Sequence, residues 1–141
     1  MANKLLFWEL SLTDYISEYH PERIQDKEFI SVRAEEAGKE FERNSKEGKT
    51  VRQAKEAAEK VLYEGLKFSK FKLLEEIVEN EMPEIRQEEK YTFIMQMMRV
   101  IEPIIQKYEP KDDFIGSEKE KEMYNMCVGR IYNYLEKNGL Q

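Results

Sequence analysis

Apolar residues recur every three or four positions along most of the chain, which is the period of one face of an α-helix. Six such segments are separated by short stretches that contain proline, glycine or residues typical of helix caps. No segment of strand length alternates apolar and polar positions with β-branched residues. The pattern therefore predicts an all-α fold, a bundle of about six helices.

The first two predicted helices meet at His20 and Pro21. The apolar face of the first helix carries Leu5, Trp8, Leu12, Ile16 and Tyr19. Pro21 ends this helix because proline has no N–H to continue it. The second helix is predicted over residues 27–46, with Asp26 as an N-cap whose carboxylate accepts a free backbone N–H. Its buried stripe is predicted to contain Ile30, Ala34, Ala37 and Phe41.

A capping box begins the third helix. The side chains of Thr50 and Gln53 can each accept an unpaired backbone N–H, so a helix is predicted from residue 51 to about residue 64. The predicted stripe of this helix is Val51, Ala54, Ala58 and Val61.

The segment VLYEGLKFSKFKLLEEIV, residues 61–78, is predicted to be the end of that helix, a turn and a fourth helix. Gly65 stands where a left-handed residue costs least, and Ser69 can cap the new helix. Leu66 and Phe68 are expected to pack the turn onto the core. The apolar positions of the fourth helix are Phe71, Leu74, Val78 and Met82.

The fifth helix follows Pro83 and is apolar on most sides, which is typical of the helix at the centre of a bundle. Its predicted stripe is Tyr91, Ile94, Met98, Ile101, Ile105 and Tyr108. Pro103 should kink it by freeing the carbonyl of Arg99, which would then face solvent or a small cavity. Met95, Met97 and Met98 fit core positions, although clustered methionines also form adaptable peptide-binding grooves.

A second capping box, Ser117 with Glu120, is predicted to begin the last helix. Its stripe is Tyr124, Val128, Ile131 and Leu135, and it should stop at Asn138 and Gly139. Because no internal repeat and no linker divides the chain, residues 1–141 are predicted to form one domain.

The composition is that of a compact helical protein, with 40% hydrophobic and 37% charged residues but only six glycines and four prolines. The first residues show no secretory signal, and the densest apolar stretch, residues 93–105, is shorter than the ~20 residues that span a bilayer. Cys127 is the single cysteine, so no internal disulfide can form, as suits a reducing compartment. We therefore expect a cytoplasmic protein without membrane association.

Few residues are candidates for chemistry. His20 has no partner at metal-binding spacing, so a surface or capping histidine is predicted. Cys127, on the apolar side of the last helix, is predicted to be a core residue. The acidic residues of segment 79–89 lack a calcium-loop pattern, and no glycine begins a phosphate-binding loop. We predict no catalytic residue, metal site or cofactor, and an enzyme with a histidine-free carboxylate site is the least favoured alternative.

Charge is unevenly distributed within a net charge of −6. Residues 39–72 contain ten Lys or Arg against six Asp or Glu, whereas residues 73–122 contain seven against fourteen. The basic region predicts a candidate interaction surface formed by Lys46, Lys49, Arg52, Lys67, Lys70 and Lys72. For an acidic protein, an acidic partner protein or a second copy is favoured over nucleic acid. Nucleic acid remains the alternative, although Lys60 and Glu64 occupy positions that a DNA-binding helix-turn-helix keeps apolar.

Four segments carry a resemblance to a known family: YISEYHPE, VLYEGLKFSK, KDDF and YLEKNGL, at residues 15–22, 61–70, 111–114 and 134–140. Over most of its length the chain resembles the all-helical domain-of-unknown-function family numbered eighteen ninety-six. The resemblance implies an all-α single domain found in anaerobic gut and oral bacteria, often near conjugative transposons. It implies no catalytic or binding residue.

The sequence thus predicts a non-enzymatic, cytoplasmic helical interaction protein that holds a protein partner or a second copy of itself. The family resemblance implies, in addition, a role as an accessory factor of a mobile element. Nucleic-acid binding through the basic residues 39–72 is the alternative, and it predicts affinity that falls steeply with salt.

Overall fold

Six α-helices form the structure, a computed structural model that describes the backbone of residues 2–138 and the side chains of residues 6–138. The helices are α1 Ala2–Tyr19, α2 Lys27–Lys46, α3 Val51–Leu62, α4 Lys70–Glu81, α5 Gln87–Tyr108 and α6 Glu118–Asn138. Short 3₁₀ turns occur at Pro21–Arg23 and Asp112–Phe114, and the described residues include no strand. The prediction of an all-α fold with six helices is confirmed. The predicted stop at Gly139 and the side chain of Leu5 lie outside the described residues.

The chain divides into two compact units, Met1–Leu66 and Lys67–Gln141. The first contains α1 to α3 and the second contains α4 to α6. Each unit has its own core of buried apolar side chains. One domain over residues 1–141 stays a prediction.

In the first unit, α2 packs against both α1 and α3. The buried side chains are Trp8, Leu12, Ile16, Ile30, Ala34, Ala37, Ala54, Ala58, Leu62 and Leu66. Four of these are alanines on α2 and α3, and side chains this small let the two helices approach closely. Val51 was expected on the buried face but is 73% exposed, because the first turn of α3 projects it into solvent. The stripe of α3 instead runs through Ala54, Ala58 and Leu62, every fourth residue.

In the second unit, α5 packs against both α4 and α6. Its buried residues are Phe93, Ile94, Met97, Met98, Ile101, Ile104 and Ile105, which confirms the methionines at 97 and 98 as core residues. Tyr91, expected in this stripe, is 56% exposed, although its ring centroid lies 5.9 Å from that of Phe71. Helical structure continues through Pro103, and the kink there and a central place among all six helices stay predictions.

Local caps form largely as predicted. Asp26 accepts the N–H of Phe29 at 3.3 Å. In the capping box, Thr50 accepts the N–H of Gln53 at 3.1 Å and the Gln53 side chain accepts the N–H of Thr50 at 3.0 Å. The second predicted box pairs differently: the Ser117 hydroxyl donates to the Phe114 carbonyl, while Glu120 accepts the N–H of Gly116.

The segment around Gly65 is a turn between two helices, as predicted. Gly65 has a left-handed φ of 76°, and Ser69 accepts the N–H of Lys72 at 3.0 Å. Leu66 is buried in the first unit, while Phe68 packs against the core of the second. The two apolar residues of the turn therefore anchor it to different cores.

Replacing Ser69 by alanine should lower the free energy of unfolding by about 1 kcal/mol, because one backbone N–H at the start of α4 loses its acceptor. Urea denaturation followed by circular dichroism measures the change. Ser69→Thr is the control, since a threonine hydroxyl can cap in the same way and should retain most of the stability. A Ser69→Ala loss below a few tenths of a kcal/mol would contradict the capping role.

Candidate functional site

The histidine and the cysteine of the described chain both lie in cores. His20 is buried, and its Nε2 lies 2.8 Å from the carbonyl oxygen of Leu66, so the predicted surface position was wrong. A carbonyl only accepts, so Nε2 carries the proton. His20 does stand at the N-cap position of the Pro21–Arg23 turn, but its side chain makes no capping hydrogen bond there. Cys127 is fully buried as predicted, and burial raises the pKa of its thiol to about 12.

The six predicted surface cations fall into two groups, one in each unit. The first unit holds Lys46, Lys49 and Arg52, and the second holds Lys67, Lys70 and Lys72. Four have carboxylate partners within their own unit, at distances of 3.5 Å (Lys49–Glu47), 3.7 Å (Arg52–Glu56), 3.0 Å (Lys70–Glu102) and 3.2 Å (Lys72–Glu75). The backbone N–H of Lys67 donates to Asp112, and Lys46 is exposed in the last turn of α2. Much of the positive charge in this region is therefore balanced locally.

A cleft of about 570 Å³ lies between α5 and α6 in the second unit. Its apolar lining residues are Phe93, Met97, Val100 and Leu135. Phe93 and Met97 belong to the buried core, so the cleft has a fixed apolar floor. This volume is in the usual range of ligand-binding sites, roughly 300–1,000 Å³.

Three cations line the cleft: Arg99 on α5, and Arg130 and Lys137 on α6. The lining includes no aspartate or glutamate. Within the part of the chain that the structure describes, no carboxylate oxygen lies within 4 Å of these three charges. Four of the six cations in the predicted surface have a carboxylate partner, whereas these three cleft cations have no ion pair among the residues that the structure describes.

Arg130 is held in place by the backbone of α5. Its Nε donates to the carbonyl oxygen of Val100 at 2.6 Å. The Val100 carbonyl lies in the helical turn before Pro103. In this turn, Pro103 has no N–H to donate to the carbonyl of Arg99. The bond to Nε leaves the two terminal nitrogens of the guanidinium, which can bind a carboxylate in the bidentate manner.

This cleft was not predicted from the sequence, although its signal is present there. Arg130, Asn133, Tyr134 and Lys137 stand at i, i+3, i+4 and i+7, so they form one polar stripe on α6. Polar stripes usually face solvent, and only the packing of α6 on α5 places this one beside Met97 and Val100.

None of the described helices is long and apolar enough to cross a bilayer. The described His, Cys, Asp and Glu side chains form no group of three or more that could hold a metal ion.

Comparisons with known proteins identify the family. The chain is similar to the protein in the crystal structure of protein PG0816 from Porphyromonas gingivalis, with a TM-score of 0.93 and 27% sequence identity. The similarity covers 99% of this chain and 96% of that one. No curated protein matches the chain. The family model described as "Domain of unknown function (DUF1896)" matches residues 1–140, so the chain belongs to the DUF1896 family, the one that its sequence resembles.

Proposed function

We propose that the protein is a non-enzymatic, cytoplasmic interaction module that holds an acidic segment of a partner protein in the cleft between α5 and α6. The observation that carries the proposal is an apolar floor bordered by three cations, with no carboxylate in the lining. A segment that combines carboxylates with apolar side chains complements both properties, because surfaces of opposite charge attract and apolar contacts exclude water.

The placement of the two most reactive side chains supports a non-enzymatic role. The pKa of Cys127 is raised to about 12, so its thiol is not ionised near neutral pH and is a poor nucleophile. His20 belongs to the other unit, where it is buried and donates to a backbone carbonyl. Both residues therefore serve packing and hydrogen bonding.

A protein partner is better supported than nucleic acid. Four of the six cations in the predicted basic surface are already paired with carboxylates. Paired cations contribute less to the counterion release that drives binding to polyphosphates. The net charge of −6 also repels a long polyanion, whereas a short acidic segment contacts only the cleft.

Photo-crosslinking from the cleft tests the proposal. A benzophenone amino acid replaces Asn133, which lines the cleft, and the tagged protein is irradiated in its native cells. Mass spectrometry should identify a crosslinked protein segment rich in Asp and Glu, either from a partner or from a second copy of this chain. The same substitution at Asn125, exposed on α6 outside the cleft, is the matched control. Crosslinks to nucleic acid, or equal yields from both positions, would refute the proposal.

Charge reversal gives a second measurement on the same complex. The double variant Arg99→Glu/Lys137→Glu should reduce the crosslinked yield by about tenfold or more, because it replaces two attractions by repulsions. Lys119→Glu/Lys121→Glu changes the net charge equally, on α6 but outside the cleft, and should leave the yield unchanged. If the two double variants reduced the crosslinked yield equally, the net charge of the protein and not the cleft would determine binding, and the proposal would be contradicted.

A further inference from the structure

The cations on α6 have a defined spacing. Arg130 and Lys137 are seven residues apart, so they lie on one face of the helix and are separated by about 10 Å along its axis. Because the Nε of Arg130 is hydrogen-bonded to the Val100 carbonyl on α5, the guanidinium lies near the α5 side of the cleft. This spacing suits two separate anionic groups better than one.

The surface between the two cations is apolar with amide groups at its edges. Tyr134 is 40% exposed and stands with half-buried Leu135 between them on α6. Gln96, Asn133 and Asn138 also line the cleft. Their amides can both donate and accept, as the N–H and C=O groups of a peptide without secondary structure require. A helical ligand would have no such backbone groups to offer, because its own turns use them.

An extended peptide of the polyproline II type matches these features. It has three residues per turn and rises ~3.1 Å per residue, so side chains at i and i+3 point the same way and stand ~9 Å apart. That distance matches the separation of Arg130 and Lys137 along α6. The two residues between them can place an apolar side chain over Leu135 and Met97.

On the basis of the proposed function, we infer that the cleft binds an extended acidic segment with carboxylates at positions i and i+3 and apolar residues between them. Arg130 binds one carboxylate through its terminal nitrogens, and Lys137 binds the other. Arg99 on α5 adds positive charge at the rim. Because Arg130 is already oriented by the Val100 carbonyl, little side-chain freedom is lost on binding.

Four fluorescein-labelled synthetic peptides of equal length test this inference by fluorescence anisotropy. The first, the spaced peptide, has the core Glu-Leu-Pro-Glu, and the second has the two acids adjacent, as Glu-Glu-Leu-Pro. The third and fourth each have one glutamate replaced, as Glu-Leu-Pro-Gln and Gln-Leu-Pro-Glu. The spaced peptide should bind about tenfold more tightly than any of the others, since one charged contact is lost in each case.

A double-mutant cycle assigns the contact to Lys137. Lys137→Gln should reduce the affinity for the spaced peptide about tenfold. It should have little effect on the affinity for the single-glutamine peptide in which glutamine takes the place of the glutamate that faces Lys137. Lys121→Gln, on α6 outside the cleft, is the matched control and should change nothing. Additive effects of the protein and peptide substitutions would overturn the assignment.

The outcomes separate this inference from the proposed function. If the four peptides bind equally, or if none binds while position 133 still crosslinks to an acidic protein, the spacing is wrong and the interaction module stands. If no acidic protein is crosslinked and none of the peptides binds, both fail. An oligothymidine that displaces the spaced peptide and binds more tightly would overturn the inference in favour of nucleic acid.

Discussion

Replacing Arg33 by methionine should lower the free energy of unfolding of the first unit by about 2–3 kcal/mol. Nη1 of Arg33, on α2, donates to the carbonyl oxygens of Val61, Leu62 and Glu64 at 3.2, 3.1 and 2.8 Å. These carbonyls lie at and just beyond the end of α3, where the helix no longer supplies one N–H for each of them, and that of Val61 also accepts the N–H of Glu64 at 3.4 Å. A cation there also offsets the negative end of the helix dipole. Methionine keeps an apolar stem of similar length and removes only the donor and the charge.

Urea denaturation followed by tryptophan fluorescence measures this effect. Trp8 is the single tryptophan and is buried in the first unit, so its signal reports on the unit that contains Arg33. The control is Arg52→Met, at an arginine of the same unit that is 88% exposed and 3.7 Å from Glu56. A surface pair of this kind contributes less than about 1 kcal/mol. Equal losses in both variants would contradict a capping role for Arg33.

Replacing His20 by alanine should lower the free energy of unfolding of the first unit by about 3 kcal/mol. The loss comes from one hydrogen bond and from the cavity left by the buried ring. Nε2 of His20 donates to the Leu66 carbonyl at 2.8 Å, and the Tyr15 hydroxyl donates to the same oxygen at 3.1 Å. The centroid of the His20 ring lies 6.0 Å from that of the Tyr15 ring, with the two planes tilted by 32°. The hydrogen bond from His20 therefore connects the end of α1 to the turn after α3.

The control for His20 is glutamine, whose side-chain amide can place an N–H near the position of Nε2. His20→Gln should recover more than half of the stability that His20→Ala loses, whereas His20→Leu, which fills the space without a donor, should recover less. Trp8 fluorescence in urea compares the three variants. A leucine variant as stable as the glutamine variant would mean that the ring acts by packing alone.

Sequence patterns predicted the parts of the fold that depend on neighbouring residues. Asp26, Thr50 and Ser69 each accept an N–H from the residue three positions ahead, so both partners are present in a short stretch of sequence. The left-handed φ of Gly65 is likewise a local property, because a residue without Cβ adopts it at little cost. The second capping box failed because the Ser117 hydroxyl pairs back to Phe114 instead of forward to Glu120.

Burial was predicted less well at helix ends than at helix centres. A helical period of 3.6 identifies one face, but the width of the buried face depends on how many neighbours a helix has. Val51 lies in the first turn of α3 and is exposed there, whereas Leu62, absent from the predicted stripe, is buried. On α6, Met123 was not predicted to be buried but is, one position before Tyr124 of the predicted stripe, which is itself only half-buried.

The sequence by itself determined the helical class, the helix limits to within a few residues, most caps and the family. Each of these depends on periodicity and on interactions between residues three or four positions apart. Only the tertiary structure decided the partners of His20 and Arg33, which lie 46 and 28–31 residues along the chain. The tertiary structure also placed Arg99 in the same cleft as Arg130 and Lys137. This follows from the packing of α5 against α6, which places the polar stripe of α6 along one side of the cleft.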